Sequence, residues 1–461
     1  MSRRVHLVGI GGAGLSAIAR VLHERGDAVT GSDQAISSFS QALETAGIPV
    51  SYGHRAENVA GADLVVVSSA VPAENVEVIA AERAGIPVVR RNTFLAELTA
   101  GSETIAVAGT HGKTTTTGLI ARLLEIAGLE PTFIVGGILE DFGTNARAGK
   151  GRHFVIEADE YDRAFLALHP SIGVITSVEH DHPDCYPTPA EFHQAFEAFA
   201  AQVTDLLVVC RDDPGAFSLA PAGVRRLSYG LDPEADWRAE EIRANAAGGS
   251  DFLVLRRGEL LGLARNRLPG VHNVVNSLAA LAAADAVGVS FADGRRALTE
   301  FHGTARRFQM IGEVEGVCVI DDYAHHPTEI RATLAAARQR YPQTEIWAVF
   351  QPHTYSRTRA LLEAFAASFS DADHVIVTEV FASREAPDPE VSGRLIVERM
   401  MHPEARFIPL LAEAAESVLS RLKAPAVVVT LSAGDGNEVG KEVLARMQGK
   451  AGGKQDGSEK G

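Results

Sequence analysis

The sequence predicts an α/β chain of three domains, each built on a largely parallel sheet. Three observations lead there. Short apolar runs alternate with helical patterns almost from end to end, the pattern of strands joined by crossover helices. Two glycine-rich loops each stand between an apolar run and a helical segment. The 461 residues are also too many for a single hydrophobic core.

Taken in order, Val5–Val8 and Asp63–Val67 read as strands, with a helix over roughly Leu15–Arg25. A second series runs through Thr104–Ala108, Phe154–Ala158, Ile172–Thr176 and Leu206–Cys210. A third runs through Val317–Asp321, Ile346–Phe350, Val375–Glu379 and Ala426–Leu431. Two stretches read as joints, Glu97–Glu103 and Phe301–Ala305, where helical patterns give way to Gly, Ser and Thr. The expected domains are therefore an N-terminal Rossmann-like unit (1–100), a central unit (101–302) and a C-terminal Rossmann-like unit (303–447). Residues 448–461 are rich in Gly, Lys and Ser and are expected to form a disordered tail.

Composition narrows the function classes. Hydrophobic residues make up 46% and charged residues 22%, an ordinary globular balance. The net charge of −16 repels a phosphate backbone, so nucleic acid is not an expected partner. Three widely spaced cysteines, Cys185, Cys210 and Cys318, make neither a disulfide framework nor a metal spacing. The apolar run after Met-Ser-Arg-Arg is too short for a signal peptide and turns at once into glycines. No stretch has the length of a membrane span. A cytoplasmic protein with no membrane partner, monomeric or homodimeric, is the expectation.

The segment Thr104-Ile-Ala-Val-Ala-Gly-Thr-His-Gly-Lys-Thr-Thr carries the strongest chemistry. It reads as strand, glycine loop and helix start, the order of a P-loop ATPase-type sheet. Gly109 and Gly112 let the N–H groups of Thr110, His111 and Thr115 turn around phosphate oxygens. Lys113 supplies charge for the β- and γ-phosphates, and the Thr114 hydroxyl can sit on Mg²⁺. Val107 stands where the common loop has its first glycine, so this is a shorter variant. An ordinary strand-to-helix turn with a solvated lysine would not need all these residues in order. The other loop, Gly9-Ile-Gly-Gly-Ala-Gly14, matches the dinucleotide fingerprint through Gly11, Gly12, Ala13 and Gly14. Asp33 follows at the distance of a ribose-binding acid, which keeps a nicotinamide dehydrogenase open at this point.

Beyond the P-loop, Phe154-Val-Ile-Glu-Ala-Asp-Glu-Tyr-Asp sets Glu157, Asp159, Glu160 and Asp162 at the end of a buried strand. Clustered acids there are costly unless a cation neutralises them, which fits Mg²⁺ or Mn²⁺ on ATP. The next strand ends in Ser177-Val-Glu-His-Asp-His-Pro, offering Asp181 and His182 at the same edge; zinc on His180 and His182 is the competing reading. Asn273 and Asn276 share one helix face and can read an adenine edge, with helix capping by Asn273 as the alternative. Asp321-Asp-Tyr-Ala-His-His-Pro and Gln351-Pro-His-Thr-Tyr-Ser-Arg-Thr-Arg close two later strands. Arg306, Arg307, Arg357 and Arg359 are the local cations an anionic substrate would need in this acidic chain.

Together these segments resemble the Mur ligases of peptidoglycan synthesis, and most closely the branch that adds L-alanine. The resemblance spans residues 1 to about 447 and rests on ordered motifs. They include His6–Ser16, Val29-Thr-Gly-Ser-Asp33, Val67-Ser-Ser-Ala70, Gly109–Thr115, Glu157-Ala-Asp-Glu160, Asp181-His182, His272–Asn276, Asp321–Thr328 and Gln351–Arg359. The resemblance implies that L-alanine and UDP-N-acetylmuramate are joined with ATP through an acyl phosphate, a step of cell-wall synthesis on which cell shape and division depend. It implies a UDP-sugar on the N-terminal loop, with Asp33, His54 and Ser69 as further contacts. It implies ATP on Lys113, with Thr114, Glu157 and His182 around Mg²⁺, Asn273 and Asn276 at adenine, and Asp322 reaching the nucleotide from the C-terminal domain. His325 and Arg357 match positions that face the incoming amino acid. Tyr161 and Thr354 depart from the pattern, which often has Ser and Arg there. No lysine stands where some relatives carry a carbamylated one. A ligase that attaches a whole recycled peptide is the alternative within the family.

Overall fold

The computed structural model describes residues 2–455. Its strands form three sheets, and each apolar run read from the sequence overlaps a strand, with ends that differ by at most two residues. The first sheet holds β1 (Arg4–Val8), β2 (Ala28–Asp33), β3 (Val50–Tyr52), β4 (Leu64–Val67) and β5 (Val88–Arg90). The order is β3-β2-β1-β4-β5, with every pairing parallel. The chain leaves β1 first toward one side and later toward the other, so the glycine loop after β1 sits at a switch point where such sheets bind ligands. The helix Ala13–Glu24 starts there and buries Leu15, Ile18, Val21 and Leu22.

The second sheet has ten strands. These are β6 (Glu103–Ala108), β7 (Thr132–Leu139), β8 (Thr144–Arg147), β9 (His153–Glu157), β10 (Ile172–Ile175), β11 (Leu206–Cys210), β12 (Arg225–Gly230), β13 (Trp237–Ala244), β14 (Ser250–Arg256) and β15 (Glu259–Arg265). They lie in the order β15-β14-β13-β12-β11-β10-β6-β9-β7-β8. From β12 to β7 the pairings are parallel, as the sequence led one to expect. The expectation of a parallel sheet needs extension at both edges: β13, β14 and β15 add an antiparallel meander, and β8 pairs antiparallel with β7. Along β13 and the start of β14, buried residues alternate with more exposed ones. On β13, Trp237 and Ala239 are buried between charged residues, and on β14 Phe252 and Val254 are buried while Leu253 is only partly so.

The third sheet holds β16 (Gln309–Val314), β17 (Val317–Asp322), β18 (Glu345–Phe350), β19 (His374–Val377), β20 (Ala405–Phe407) and β21 (Ala426–Leu431). Its order is β16-β17-β21-β18-β19-β20, parallel except for β16. The expected tail from residue 448 overlaps the last helix, Glu438–Gln455, and its remainder lies outside the described residues.

The cores are unevenly shared. One contiguous apolar cluster runs from Val5 to Phe301 and joins the first two sheets, with the helix Ala13–Glu24 packed against β7 and β8. The C-terminal sheet has its own clusters, one on each face. The Phe301–Ala305 joint is pinned rather than loose: the Ala305 N–H donates to the Ile138 carbonyl at 2.8 Å, and the Glu140 N–H to Gly303 at 3.1 Å. The C-terminal unit thus meets the rest mainly through polar contacts, and those contacts surround the P-loop.

Candidate active site between the central and C-terminal domains

The P-loop forms because β6 ends against β10 and the chain must turn into the helix Lys113–Ile126 without side-chain bulk. Gly109 has φ +140°, and a Cβ there would stand 2.0 Å from the Thr176 hydroxyl. Gly112 has φ +79°, and a Cβ would meet Asn276 Oδ1 at 2.5 Å. Both positions favour glycine on conformation and space together. The Thr110 hydroxyl donates to the Glu179 carbonyl at 2.7 Å, and the His111 N–H donates to Ser177 at 3.0 Å, which fixes the loop on the β10 side.

Lys113 and the acids at the end of β9 come together. Lys113 Nζ donates to the Gly109 carbonyl at 2.5 Å and to Glu160 at 2.8 Å. Burial opposes its charge, but Glu160 and Asp159 more than offset this and raise its pKa. Thr114 donates to Glu157 at 2.9 Å, and the Gly136 N–H donates to the other Glu157 oxygen at 2.6 Å. Burial keeps the Glu157 carboxyl above its usual range. His182 Nε2 lies 3.6 Å from Glu160 and 3.7 Å from Asp181. Burial opposes the His182 cation, while the bond to Glu160 and the Asp181 charge raise its pKa.

These groups fit a divalent cation. Glu160 Oε2 and His182 Nδ1 are buried and hydrogen-bond to nothing among the described residues. A costly buried carboxylate, a threonine hydroxyl and an imidazole make a mainly oxygen donor set, which suits Mg²⁺ or Mn²⁺. The Thr114, Glu157 and His182 side chains could hold it, with Glu160 beside them.

Beside the loop lies a cavity of about 640 Å³, lined by Gly112, Thr115, Asn273, Asn276, Arg307, Asp322 and Glu329 among others. Its walls come from both the central and the C-terminal domains. The two asparagines are satisfied internally: Asn276 donates to Asn273 Oδ1 at 3.1 Å, and Asn273 donates to the Pro269 carbonyl at 2.7 Å. Asp322 accepts backbone N–H groups from Phe308 at 2.7 Å and Ala324 at 2.8 Å, and burial pushes its pKa up to about 6. It organises two loops as well as lining the cavity.

The C-terminal domain reaches the P-loop through Glu329 and the loop after β10 through Arg357, and neither pairing is visible in sequence. Arg357 donates to both oxygens of Asp181, at 2.8 and 3.1 Å, and the pair is buried. Burial opposes the Asp181 charge, yet Arg357 and His182 hold its carboxyl well below the usual range. His111 contacts Glu179 at 2.9 Å and Glu329 at 3.4 Å; burial opposes its charge, but these carboxylates raise its pKa to about 9. Glu329 also accepts the His325 N–H at 3.0 Å and lies 3.4 Å from Arg307. Its place three residues after the helix-capping His326 is a sequence signal of a capping box, but nothing in sequence joins it to His111. His325 Nδ1 lies 2.9 Å from the Tyr323 carbonyl, so that nitrogen carries the proton and Nε2 is the free base. Burial pushes the His325 pKa down to about 4.

The N-terminal loop stands apart from this cluster. The Gly11 N–H donates to Asp33 at 2.8 Å, and Asn145 of the central domain donates to the Ala13 carbonyl at 3.1 Å. Arg91 pairs with Asp159 at 3.4 Å, so the acids behind the P-loop also touch the first domain. Ser69 is exposed and lines a second cavity of about 380 Å³ with Arg90, Arg91, Asn92 and Asp162. His54 turns inward to Ser32 at 3.2 Å and Glu77 at 3.4 Å. Glu77 is fully buried; burial opposes its charge, but bonds from His6, Ser32 and Asn58 hold its pKa to about 2. That carboxylate went unnoticed in sequence because a single Glu in a helix carries no signal.

The fold and this geometry define a three-domain nucleotide-binding chain with a P-loop closed over by its C-terminal unit. Three family models match in succession: the Mur ligase family catalytic domain over residues 4–103, the Mur ligase middle domain over 107–284, and the Mur ligase glutamate ligase domain over 306–434. The chain belongs to the Mur ligase family. It is 43% identical to a UDP-N-acetylmuramate–L-alanine ligase of Roseiflexus castenholzii, over 96% of this chain and 97% of that protein. It is 44% identical to the ligase of the same name from Rubrobacter xylanophilus, over 96% of this chain and 100% of that protein. The crystal structure of a UDP-N-acetylmuramate-alanine ligase from Thermotoga maritima superposes with TM-score 0.83 at 30% identity, covering 97% of this chain and 99% of that one. A murein peptide ligase from Psychrobacter arcticus superposes with TM-score 0.72 at 26% identity, covering 97% and 99%.

Proposed function

We propose that this chain is an ATP-dependent ligase that joins L-alanine to the carboxylate of UDP-N-acetylmuramate, giving UDP-N-acetylmuramoyl-L-alanine, ADP and phosphate. The observation that carries the reading is a P-loop whose lysine, threonine and buried acids meet at the junction of three domains. A dehydrogenase has no use for that loop. The alanine-adding relatives are similar over nearly the whole chain, and the peptide ligase is less similar in sequence and in shape.

The first step brings two anions together, the substrate carboxylate and the γ-phosphate of ATP. Lys113 gives up its contacts with Gly109 and Glu160 and pairs with the phosphates, and the N–H groups of Gly112–Thr115 hold their oxygens. A bound Mg²⁺ or Mn²⁺ would neutralise charge on the transferring phosphoryl group. Asn273, Asn276 and Asp322 bound the space for the nucleoside. Gly11, Gly12, Ala13, Gly14, Asp33 and Ser69 hold the UDP end, with His54 set by Glu77.

The carboxylate oxygen displaces ADP, forming an acyl phosphate. The neutral amine of L-alanine attacks its carbonyl carbon, a tetrahedral intermediate forms, and phosphate leaves with the bridging oxygen. His325 Nε2 takes the proton that nitrogen sheds as the C–N bond forms. Arg357, tied to Asp181, holds the C-terminal unit against the acids. Closure of that unit, divided from the rest near residues 301–305, keeps water from the acyl phosphate. The boundaries at residues 100 and 302, a cytoplasmic location and a role in cell shape and division belong to the same reading.

Phosphate release from ATP, measured with UDP-N-acetylmuramate and each amino acid in turn, tests it. L-Alanine should give the fastest release. Release that ignores L-alanine but responds to a tripeptide assigns the chain to peptide attachment instead.

A further inference from the structure

Tyr161 and Thr354 lie more than 190 residues apart in sequence, yet one side chain connects their surroundings. Thr354 is buried and uncharged, at φ +66°, and its N–H donates to the Phe381 carbonyl at 2.9 Å. The segment from Phe381 to Glu385 runs alongside it: the His353 and Phe381 rings stack at 5.8 Å, and Ser356 donates its N–H to Glu385 at 3.0 Å. Arg384 projects between those two anchors. Its guanidinium lies 3.9 Å over the Tyr161 ring and 3.1 Å from Asp184. Tyr161 in turn stands against the His182 ring at 5.2 Å.

The chemistry of the second step calls for a cation here. The incoming amino acid carries an α-carboxylate, which must sit beside an acyl phosphate. Arg357 is already spent on Asp181 through two short bonds in a buried pair. Arg384 is different, because its side chain is 46% exposed and Asp184, its one carboxylate partner among the described residues, is 29% exposed. Such a rim pair is weak and exchangeable. Stacking on Tyr161 fixes the guanidinium plane and leaves its N–H edge to take a carboxylate.

We propose that Arg384, seated on Tyr161, receives the α-carboxylate of the incoming amino acid and supplies the charge that position 354 lacks. The inference rests on the ligase reading above. Arg384 leaves Asp184 for the ligand, and the amine is then held toward His325. Tyr161 acts as a positioning residue for Arg384, and lysine cannot replace the arginine fully because it lacks the planar face.

The test is steady-state kinetics on the intact enzyme with each substrate varied in turn. Arg384→Ala should raise the KM for L-alanine about 10- to 100-fold, the scale of one charge-assisted contact, with KM for ATP and UDP-N-acetylmuramate within about twofold. Arg384→Lys and Tyr161→Ser should fall between it and the parent. Adding Thr354→Arg to Arg384→Ala should recover at least about a third of the loss on a logarithmic scale, by the same charge argument. Arginine is unbranched at Cβ, so it adds no strain at a φ that threonine already tolerates. An unchanged KM for L-alanine in Arg384→Ala, equal rises for all three substrates, or no recovery with Thr354→Arg each overturn the proposal. A parent enzyme that releases no phosphate with L-alanine would instead overturn the ligase reading, so the two failures are distinguishable.

Discussion

Replacing Asp181 by asparagine removes the charge that Arg357 holds across the interface between the central and C-terminal domains. The structure sets the magnitude. Two bonds of 2.8 and 3.1 Å join a guanidinium and a carboxylate that are both almost wholly buried. Breaking such a pair by removing one partner costs about 3–5 kcal/mol, because the other charge stays buried without its counter-ion. Asparagine keeps one acceptor oxygen, so the loss should be about 2–4 kcal/mol, or roughly 30- to 700-fold in the docked equilibrium. The first two sheets share one apolar core and the C-terminal sheet does not. The penalty should therefore appear as loosened docking of the C-terminal unit rather than as global unfolding. Small-angle scattering should show a larger radius of gyration for Asp181→Asn, and kcat/KM should fall about 100-fold by the same free energy. Unchanged scattering together with kcat/KM within about twofold of the parent would refute the role given to this pair.

Other outcomes follow from the same contacts. Lys113→Ala should lower kcat by at least about 100- to 1000-fold, the scale of losing one preorganised charge-stabilising group, with an unchanged circular dichroism spectrum. The His111 pKa is raised to about 9 against an ordinary 6.5. Its ion pairs with Glu179 and Glu329 therefore stabilise fully below about pH 6.5 and are lost as pH rises through about 9. The stability difference between the parent and His111→Asn in urea should shrink over that window; a difference that widens would contradict it. Glu77 has the opposite sign, with a folded pKa of about 2 against 4.5. Its contribution, at most about 3 kcal/mol, is present above about pH 4.5 and lost as pH falls toward 2. Glu77→Gln should lower the urea midpoint at pH 7 and raise the KM for the UDP-sugar by releasing His54, whereas an unchanged midpoint would argue against the buried network.

Much of this was legible in the sequence, for identifiable reasons. The central strands of all three sheets are apolar on both faces, so Thr104–Ala108 or Ala426–Leu431 declares itself as an uninterrupted run. The P-loop was equally plain, since glycine, lysine and threonine are each required by its geometry. The edge strands β13 to β15 were not, because local alternation alone does not say what a strand pairs with. The sequence marked Asp181 and Arg357 separately as an acid and a cation at strand ends. Their pairing spans 176 residues, and only the assembled domains bring them together. Asn273 and Asn276 share a helix face as their spacing implied, but the structure shows them bonded to each other and to Pro269. Arg384 carried no signal at all, because a lone surface arginine looks like any other until Tyr161 is found beneath it.

The central claim is that the P-loop delivers the γ-phosphate of ATP to the carboxylate of the UDP-sugar. The most direct test is to run the reaction with UDP-N-acetylmuramate carrying ¹⁸O in both carboxylate oxygens and to weigh the released phosphate by mass spectrometry. The account predicts one ¹⁸O in each phosphate, because the bridging oxygen of the acyl phosphate leaves with phosphorus when the amine attacks. Unlabelled phosphate, or label recovered in AMP, would contradict it.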